Sequence, residues 1–256
     1  MTDERKRRIA DAFARAAASY DDAAAPQRQA AALVADLAWQ QRVAERPRIL
    51  EIGCGTGLLT RHIRDHWPAA DLVVSDLSPA MVGTAARGAM IAGTFLALDG
   101  EAPPFDGPWF DLILSSLAFQ WFGDLPMAIA RLAGLLRPGG RLLFSTMGAD
   151  SFGEWRAAHA AVGEAAGTPD YPDLAALRAM LDGFEDAFAF EEHWSHDFGG
   201  AKGFLAHLKA IGATVPTEDH AVLPPARMRD VMRAFDAEGG CLTYHVLFGR
   251  VSRVIK

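Results

Sequence analysis

Between Pro47 and Gly148, short apolar runs alternate with segments of helical pattern, and this alternation limits the fold more than any other feature of the 256-residue chain. "RILEIG", "DLVVSDLS", "GTFLALDG", "WFDLILSSLAF" and "GRLLFSTMG" read as five strands, with "TGLLTRHIRDHW", "PAMVGTAARGA" and "LPMAIARLAGLL" as helices among them. Continuously apolar strands joined through helices of about 10 to 15 residues make βαβ units on a parallel sheet. In "RPGG" (137–140), glycine is expected to stop the helix before the fifth strand.

Past Gly148 the alternation is interrupted. Helices are expected at 151–166, 173–182, about 201–211 and 225–237, a sixth strand at 187–198, and a long final strand at 241–254. Before it, residues 5–18 predict a helix, with Ile9, Ala12, Phe13 and Ala16 at helical spacing. "SYDDAA" breaks that helix, and Pro26 starts a second one running to about Gln41. Half the residues are hydrophobic, enough for one substantial core. The expected architecture is a single α/β domain over 1–256. Its cap elements are the N-terminus, about 1–42, and an insertion after the fifth strand, 149–184.

Charge and cysteines narrow the setting. A net charge of −7 disfavours nucleic acid as a partner. Two cysteines, Cys54 and Cys241, make no disulfide framework, so a reducing compartment is expected. "MTDERKRRIADAF" lacks the apolar stretch of a secretory signal, and the longest apolar runs are too short to span a membrane. A soluble cytoplasmic protein with no membrane partner is the expectation.

The turn after the first strand, "EIGCGTG", places Gly53, Gly55 and Gly57 between a strand and a helix. Bare backbone there lets a ligand approach closely. Asp76 ends the second strand, 19 residues after Gly57, where an acid can bind a ribose hydroxyl pair. A nucleoside ligand follows. Glu51 stands just upstream of the loop, and its carboxylate would repel a diphosphate but suits an ammonium or a sulfonium. S-adenosylmethionine therefore fits better than a nicotinamide dinucleotide. Asp99 closes the third strand and can accept from an adenine amino group. Glu51, Asp76 and Asp99 thus end three successive strands, where ligands bind in open α/β sheets.

Taken together, "LEIGCGTG", "DLSPAM", "ALDGEAPPF", "FDLILSSLAFQW" and "LLRPGGRLLFST" resemble the class I S-adenosylmethionine-dependent methyltransferases over about residues 47–147. The resemblance implies a Rossmann-like sheet of seven strands, the last antiparallel. A narrower likeness covers nearly the whole chain. "AASYDDAAAPQR", "SSLAFQW", "SFGEWRAA", "LKAIGAT" and "LTYHVLFGRV" resemble the BioC family, the malonyl-acyl-carrier-protein O-methyltransferases of biotin synthesis.

By this resemblance Glu51, Gly53, Cys54, Gly55 and Thr56 cradle the methionine moiety, and Asp76 holds the ribose. Leu77 and Met81 pack near the adenine, and Asp99 and Gly100 lie at its edge. Ser115 and Leu117 line the site below the sulfonium. Tyr20 and Gln27 or Arg28 close over the methionine end. Gln120 and Trp121 face the methyl-transfer channel. The implied substrate is acyl carrier protein bearing malonate, and the implied product of the donor is S-adenosylhomocysteine.

A carboxylate is already a nucleophile at neutral pH, so no general base is expected. Burying it requires a hydroxyl such as Tyr20 or a cation of the cap, with Arg156 and Lys209 as candidates. Two basic clusters could meet an acidic carrier protein: Arg5, Lys6, Arg7 and Arg8, or Arg227, Arg229 and Arg233. His62 and His66 have helical i, i+4 spacing but no accompanying acid motif, and no metal site is expected. Three alternatives stay open: a methyltransferase for another small carboxylate or metabolite, a protein resembling the arginine-hydroxylating assembly factors of respiratory complex I, and a binding module without catalysis.

Overall fold

The computed structural model describes residues 2–89, 92–184, 186–217 and 220–253. Its centre is set by the two most apolar runs. β1 (Arg48–Ile52) and β4 (Phe110–Ser115) pair in parallel and are buried on both faces. β2 (Asp71–Asp76) and β3 (Thr94–Ala97) extend the sheet on one side. β5 (Leu136–Met147), β7 (Cys241–Ser252) and β6 (Phe188–Asp197) extend it on the other. The order is β3-β2-β1-β4-β5-β7-β6, with β7 antiparallel to both neighbours. Val254, at the end of the expected final strand, lies outside the described residues.

Side chains alternate along these strands and divide the core between two faces. Leu50, Ile113, Phe144 and Leu247 point to one face, covered by α6 (Leu125–Gly134) and α8 (Leu174–Leu181) through Leu132, Leu177 and Leu181. Ile49, Leu112, Leu143 and Phe248 point to the other. There α3 (Ala25–Trp39), α4 (Leu58–His66), α7 (Gly153–Ala161), α9 (Ala201–Ala210) and α10 (Pro225–Ala237) contribute Val34, Ile63, Trp155, Phe204 and Phe235. Each such side chain adds about 1.5–3 kcal/mol by leaving water. α8 packs on β6 and β7 on one face of the sheet, and α7 packs on β7 and against α10 on the other.

The "RPGG" segment differs from expectation. α6 already ends at Gly134, and Leu135 N–H returns to Leu132 O at 3.0 Å. Residues 137–140 belong to β5, whose pairing jumps from Phe110–Leu136 to Leu112–Arg141. Pro138 disfavours helix at the residue before it, and Gly139, at φ +79°, accommodates the irregular backbone.

Over the carboxyl ends of β1–β4 lie α1 (Asp3–Ala16), the single turn α2 (Tyr20–Ala23) and α3. Thr2 caps α1 by accepting from Arg5 N–H at 3.3 Å, with Asp3 and Glu4 in the first turn. α5 (Pro79–Ala89) follows β2 and packs against α1. Among the described residues no helix is long and apolar enough to cross a membrane.

Candidate active site

The glycine loop forms because each glycine stands at positive φ: +71° at Gly53, +54° at Gly55 and +94° at Gly57. A Cβ on Gly53 would lie 2.3 Å from Ala118 Cβ, so that position is filled by packing. A Cβ on Gly55 would meet nothing within 4 Å, which leaves its backbone open to a ligand. Asp76 holds the loop in place. Its Oδ2 accepts from Gly55 N–H at 2.9 Å and its Oδ1 from Ser78 N–H at 2.8 Å.

Glu51 is buried behind the loop, and Thr60 Oγ1 donates to its Oε2 at 2.7 Å. Burial raises its pKa to about 8, against the pull of that hydrogen bond. Burial also raises Asp76. Two carboxyl groups desolvated side by side favour a ligand that brings positive charge.

Around them is a cavity of about 100 Å³. It is lined by Glu51, Gly53, Cys54, Gly55, Asp76, Leu77, Met81, Asp99, Gly100 and Leu117, with Tyr20 and Gln27 entering from the cap. Three other residues expected at the cofactor stand behind this lining. Ser115 Oγ donates to Ile52 O at 2.9 Å and joins β4 to β1. Thr56 donates its hydroxyl to Asp21 of α2, and Arg28 donates to the Asp21 carbonyl. Asp21 is therefore a clasp between cap and loop, and Arg61 adds an ion pair to it at 3.4 Å.

A cap from the N-terminus was expected, but not which residues of α1 face the cavity. Lys6, Ile9, Ala10 and Phe13 of α1 line this cavity. Ile9 and Phe13 belong to the apolar stripe of α1, which was legible, but not what the stripe covers. Lys6 corrects the first basic cluster: its Nζ lies 2.5 Å from Asp99 Oδ2 and 2.7 Å from Glu101 Oε2. Arg5 is also engaged, donating to Pro216 O at 2.7 Å. Arg7 and Arg8 alone of that set are exposed. In the second cluster all three arginines are exposed, with Arg227 pairing with Glu164 at 2.8 Å and Arg233 with Asp230.

A second chamber, about 300 Å³, abuts the first. Phe13, Tyr20, Gln27, Leu117 and Trp121 line both. Phe13 packs edge-on against Trp121 with centroids 5.5 Å apart. Gln120 lines only the second chamber and donates through Nε2 to Leu117 O at 2.6 Å. Leu117 and Phe152 both line it in left-handed backbone, at φ +49° and +62°. Such strain in residues with side chains collects at functional sites. Arg156 and Lys209 are not among the residues lining either cavity. The Arg156 guanidinium is taken up by backbone, donating to Ala149 O at 2.7 Å and to Ser151 O.

The histidines of α4 are packing residues: His66 stacks on Trp39 at 4.9 Å, and His62 meets the same ring. Asp150, His193 and His245 come together across β6 and β7, with the imidazoles stacked at 4.2 Å. Asp150 N–H already donates to His245 Nδ1 at 3.1 Å, and two parallel stacked rings cannot aim their lone pairs at one point.

A model of the methyltransferase domain matches residues 1–185. Along 254 residues the chain is 38% identical to the malonyl-[acyl-carrier protein] O-methyltransferase of Magnetococcus marinus, covering 97% of this chain and 93% of that one. It is 44% identical over 246 residues to the biotin biosynthesis bifunctional protein BioCD of Bordetella avium, but spans only 52% of that protein's length. Among solved structures, the YcgJ protein of Bacillus superimposes with a TM-score of 0.61 at 18% identity, over 88% of this chain and 99% of that one. The plantazolicin methyltransferase BpumL, solved with SAH, superimposes with a TM-score of 0.55 at 17% identity, over 97% and 95%. These structural likenesses show the fold. Given a domain match running from the roof past β5 and a relative alike along both full chains, this protein belongs to the methyltransferases, in the family of the malonyl-[acyl-carrier protein] O-methyltransferases.

Proposed function

We propose that this methyltransferase esterifies the free carboxylate of a malonyl group carried on acyl carrier protein, using S-adenosylmethionine, as an early step of biotin synthesis. The observation that carries the reading is the shared wall. A small acid-lined cavity suited to a cationic nucleoside opens, across Tyr20, Leu117 and Trp121, onto a larger and mostly apolar chamber.

The donor set fits the cofactor. Asp76, fixed by two backbone N–H groups, presents its carboxylate to a ribose hydroxyl pair. Glu51 takes the ammonium of the methionine end, beside the open backbone of Gly55. Leu77 and Met81 flank the adenine, with Asp99 and Gly100 at its edge. When bound, S-adenosylmethionine supplies an electrophilic methyl group on a sulfonium and leaves as S-adenosylhomocysteine. The acceptor carboxylate is ionised at neutral pH and needs no base. What the chain supplies is alignment and exclusion of water, by α1, Tyr20 and Trp121 from above and Leu117 from below. Alignment of this kind lowers a barrier by about 7–11 kcal/mol at most. Both cysteines are unpaired, in keeping with a reducing cytoplasm.

The test is complementation of a biotin auxotroph that lacks this methylation, with Asp76→Ala as control. Growth without biotin for the wild-type chain and none for Asp76→Ala is expected. Soluble wild-type protein that fails to restore growth would instead favour another methyl acceptor.

A further inference from the structure

The second chamber poses an electrostatic problem that the cofactor cavity does not. An anion must enter it, yet no lysine or arginine is among the described residues that line it. Its polar lining carries the amides of Gln27 and Gln120, two threonines, the imidazoles of His159 and His220, and all three tyrosines of the chain, Tyr20, Tyr171 and Tyr244.

The three hydroxyls are not equivalent. Tyr244 is spent, because its hydroxyl lies 2.7 Å from His207 Nε2 in a buried pair. Phenol and imidazole satisfy one another there, away from the chamber's ligand. Tyr20 and Tyr171, by contrast, make no hydrogen bond to any described residue. Burial holds both well above the usual phenol range, so both keep a proton to donate. Tyr20 stands at the wall shared with the cofactor cavity, in the field of Asp76 and Asp21. Tyr171 stands in the field of two guanidiniums, Arg156 and Arg5, which are anchored on backbone carbonyls and do not line the chamber.

Resting on the malonyl reading above, we propose that Tyr171 and Tyr20 receive the acceptor's anionic headgroup as neutral hydrogen-bond donors, with Arg5 and Arg156 supplying positive potential from outside the chamber. A neutral receptor suits the chemistry. The substrate is a carboxylate and the product an uncharged methyl ester. A guanidinium inside the chamber would be left buried and unpaired once the methyl group had moved. It would also hold down the charge that makes the carboxylate nucleophilic. Phenols lose only a hydrogen bond.

The test is steady-state kinetics with malonyl carrier protein. Removing the Tyr171 hydroxyl in Tyr171→Phe should raise the KM for the carrier about tenfold or more, the loss of a hydrogen bond to a charged group. The dissociation constant for S-adenosylmethionine and the melting temperature should not move. An unaltered KM overturns the inference alone, as does a KM that moves only together with cofactor affinity. A wild-type enzyme that leaves the malonyl carrier unmethylated overturns the acceptor reading and this inference with it. Fluorine NMR of fluorotyrosine-labelled protein reads the same contact without a variant. Malonyl carrier should shift the Tyr171 and Tyr20 resonances and leave Tyr244 in place, and a Tyr171 signal that ignores it overturns the proposal.

Discussion

Lys6 Nζ on α1 stands 2.5 Å from Asp99 Oδ2, two residues past β3, and the same ammonium reaches Glu101 Oε2 at 2.7 Å. The ion pair ties the roof to the β3 side of the acid-lined cavity. Glu101 is fixed in turn, accepting from Gly123 and Asp124 N–H at 2.7 and 3.0 Å. Lys6→Met keeps the aliphatic stem and removes the tie. Hydrogen exchange in α1 should speed up, and the dissociation constant for S-adenosylmethionine should rise about three- to tenfold, as a partly buried pair is lost. Unaltered exchange would show that α1 is held by Ile9 and its apolar stripe alone.

Asp76 serves as a hydrogen-bond acceptor twice before any ligand binds, from Gly55 and Ser78 N–H. Asp76→Asn would turn an amide N–H toward one of those donors. Cofactor affinity should fall by tenfold or more, and stability by about 1–3 kcal/mol, the cost of a buried mismatch. Calorimetric titration and a thermal melt measure the two separately.

Gly53→Ala is expected to be worse than its size implies. The added methyl would stand 2.3 Å from Ala118 Cβ, at a φ of +71° that side chains avoid. A loss of roughly 1–3 kcal/mol from overpacking is expected in the melting curve, with cofactor binding abolished. Gly55→Ala meets no atom within 4 Å, yet occupies the face a ligand approaches, so it should lose affinity with a smaller loss of stability.

Much of this was legible in the chain. Glu51 and Asp76 stand at the ends of β1 and β2, fixed by the apolar runs before them, whereas β3 stops at Ala97 and Asp99 follows it by two residues rather than closing it. The loop glycines were readable because few residues tolerate positive φ. What escaped were contacts between distant segments. Helical spacing sets Lys6 three residues before Ile9 and seven before Phe13, on their side of α1, and Arg7 on the opposite side, but nothing local says that Asp99 waits there. Thr56 and Ser115 were placed at the cofactor by motif. Yet one faces Asp21 of the cap and the other the Ile52 carbonyl, because short hydroxyl side chains bond whatever backbone or carboxylate is nearest. Arg156 was expected to meet substrate, but the turn after β5 leaves carbonyls at Ala149 and Ser151 that capture it first.

Glu51 gives the cofactor site a pH dependence with a definite sign. Its pKa is raised by burial from 4.5 to about 8, so the ligand-free protein holds a proton there at neutral pH. The stability this proton confers is complete below pH 4.5 and is lost as pH rises toward 8. An ammonium bound beside Glu51 favours the carboxylate, so binding should release up to one proton near pH 7. Affinity for S-adenosylmethionine should therefore improve between pH 6 and 8, by at most about tenfold per unit, until the ligand's own amine deprotonates near 8. Calorimetry in buffers of different ionisation enthalpy counts the proton, and Glu51→Gln should abolish the dependence.

The most direct measurement is the intact mass of malonyl acyl carrier protein after incubation with the purified enzyme and S-adenosylmethionine. The malonyl carrier is expected to gain one methyl group while unacylated carrier gains none. An unchanged malonyl carrier, in a protein that calorimetry shows to bind the cofactor, would contradict it.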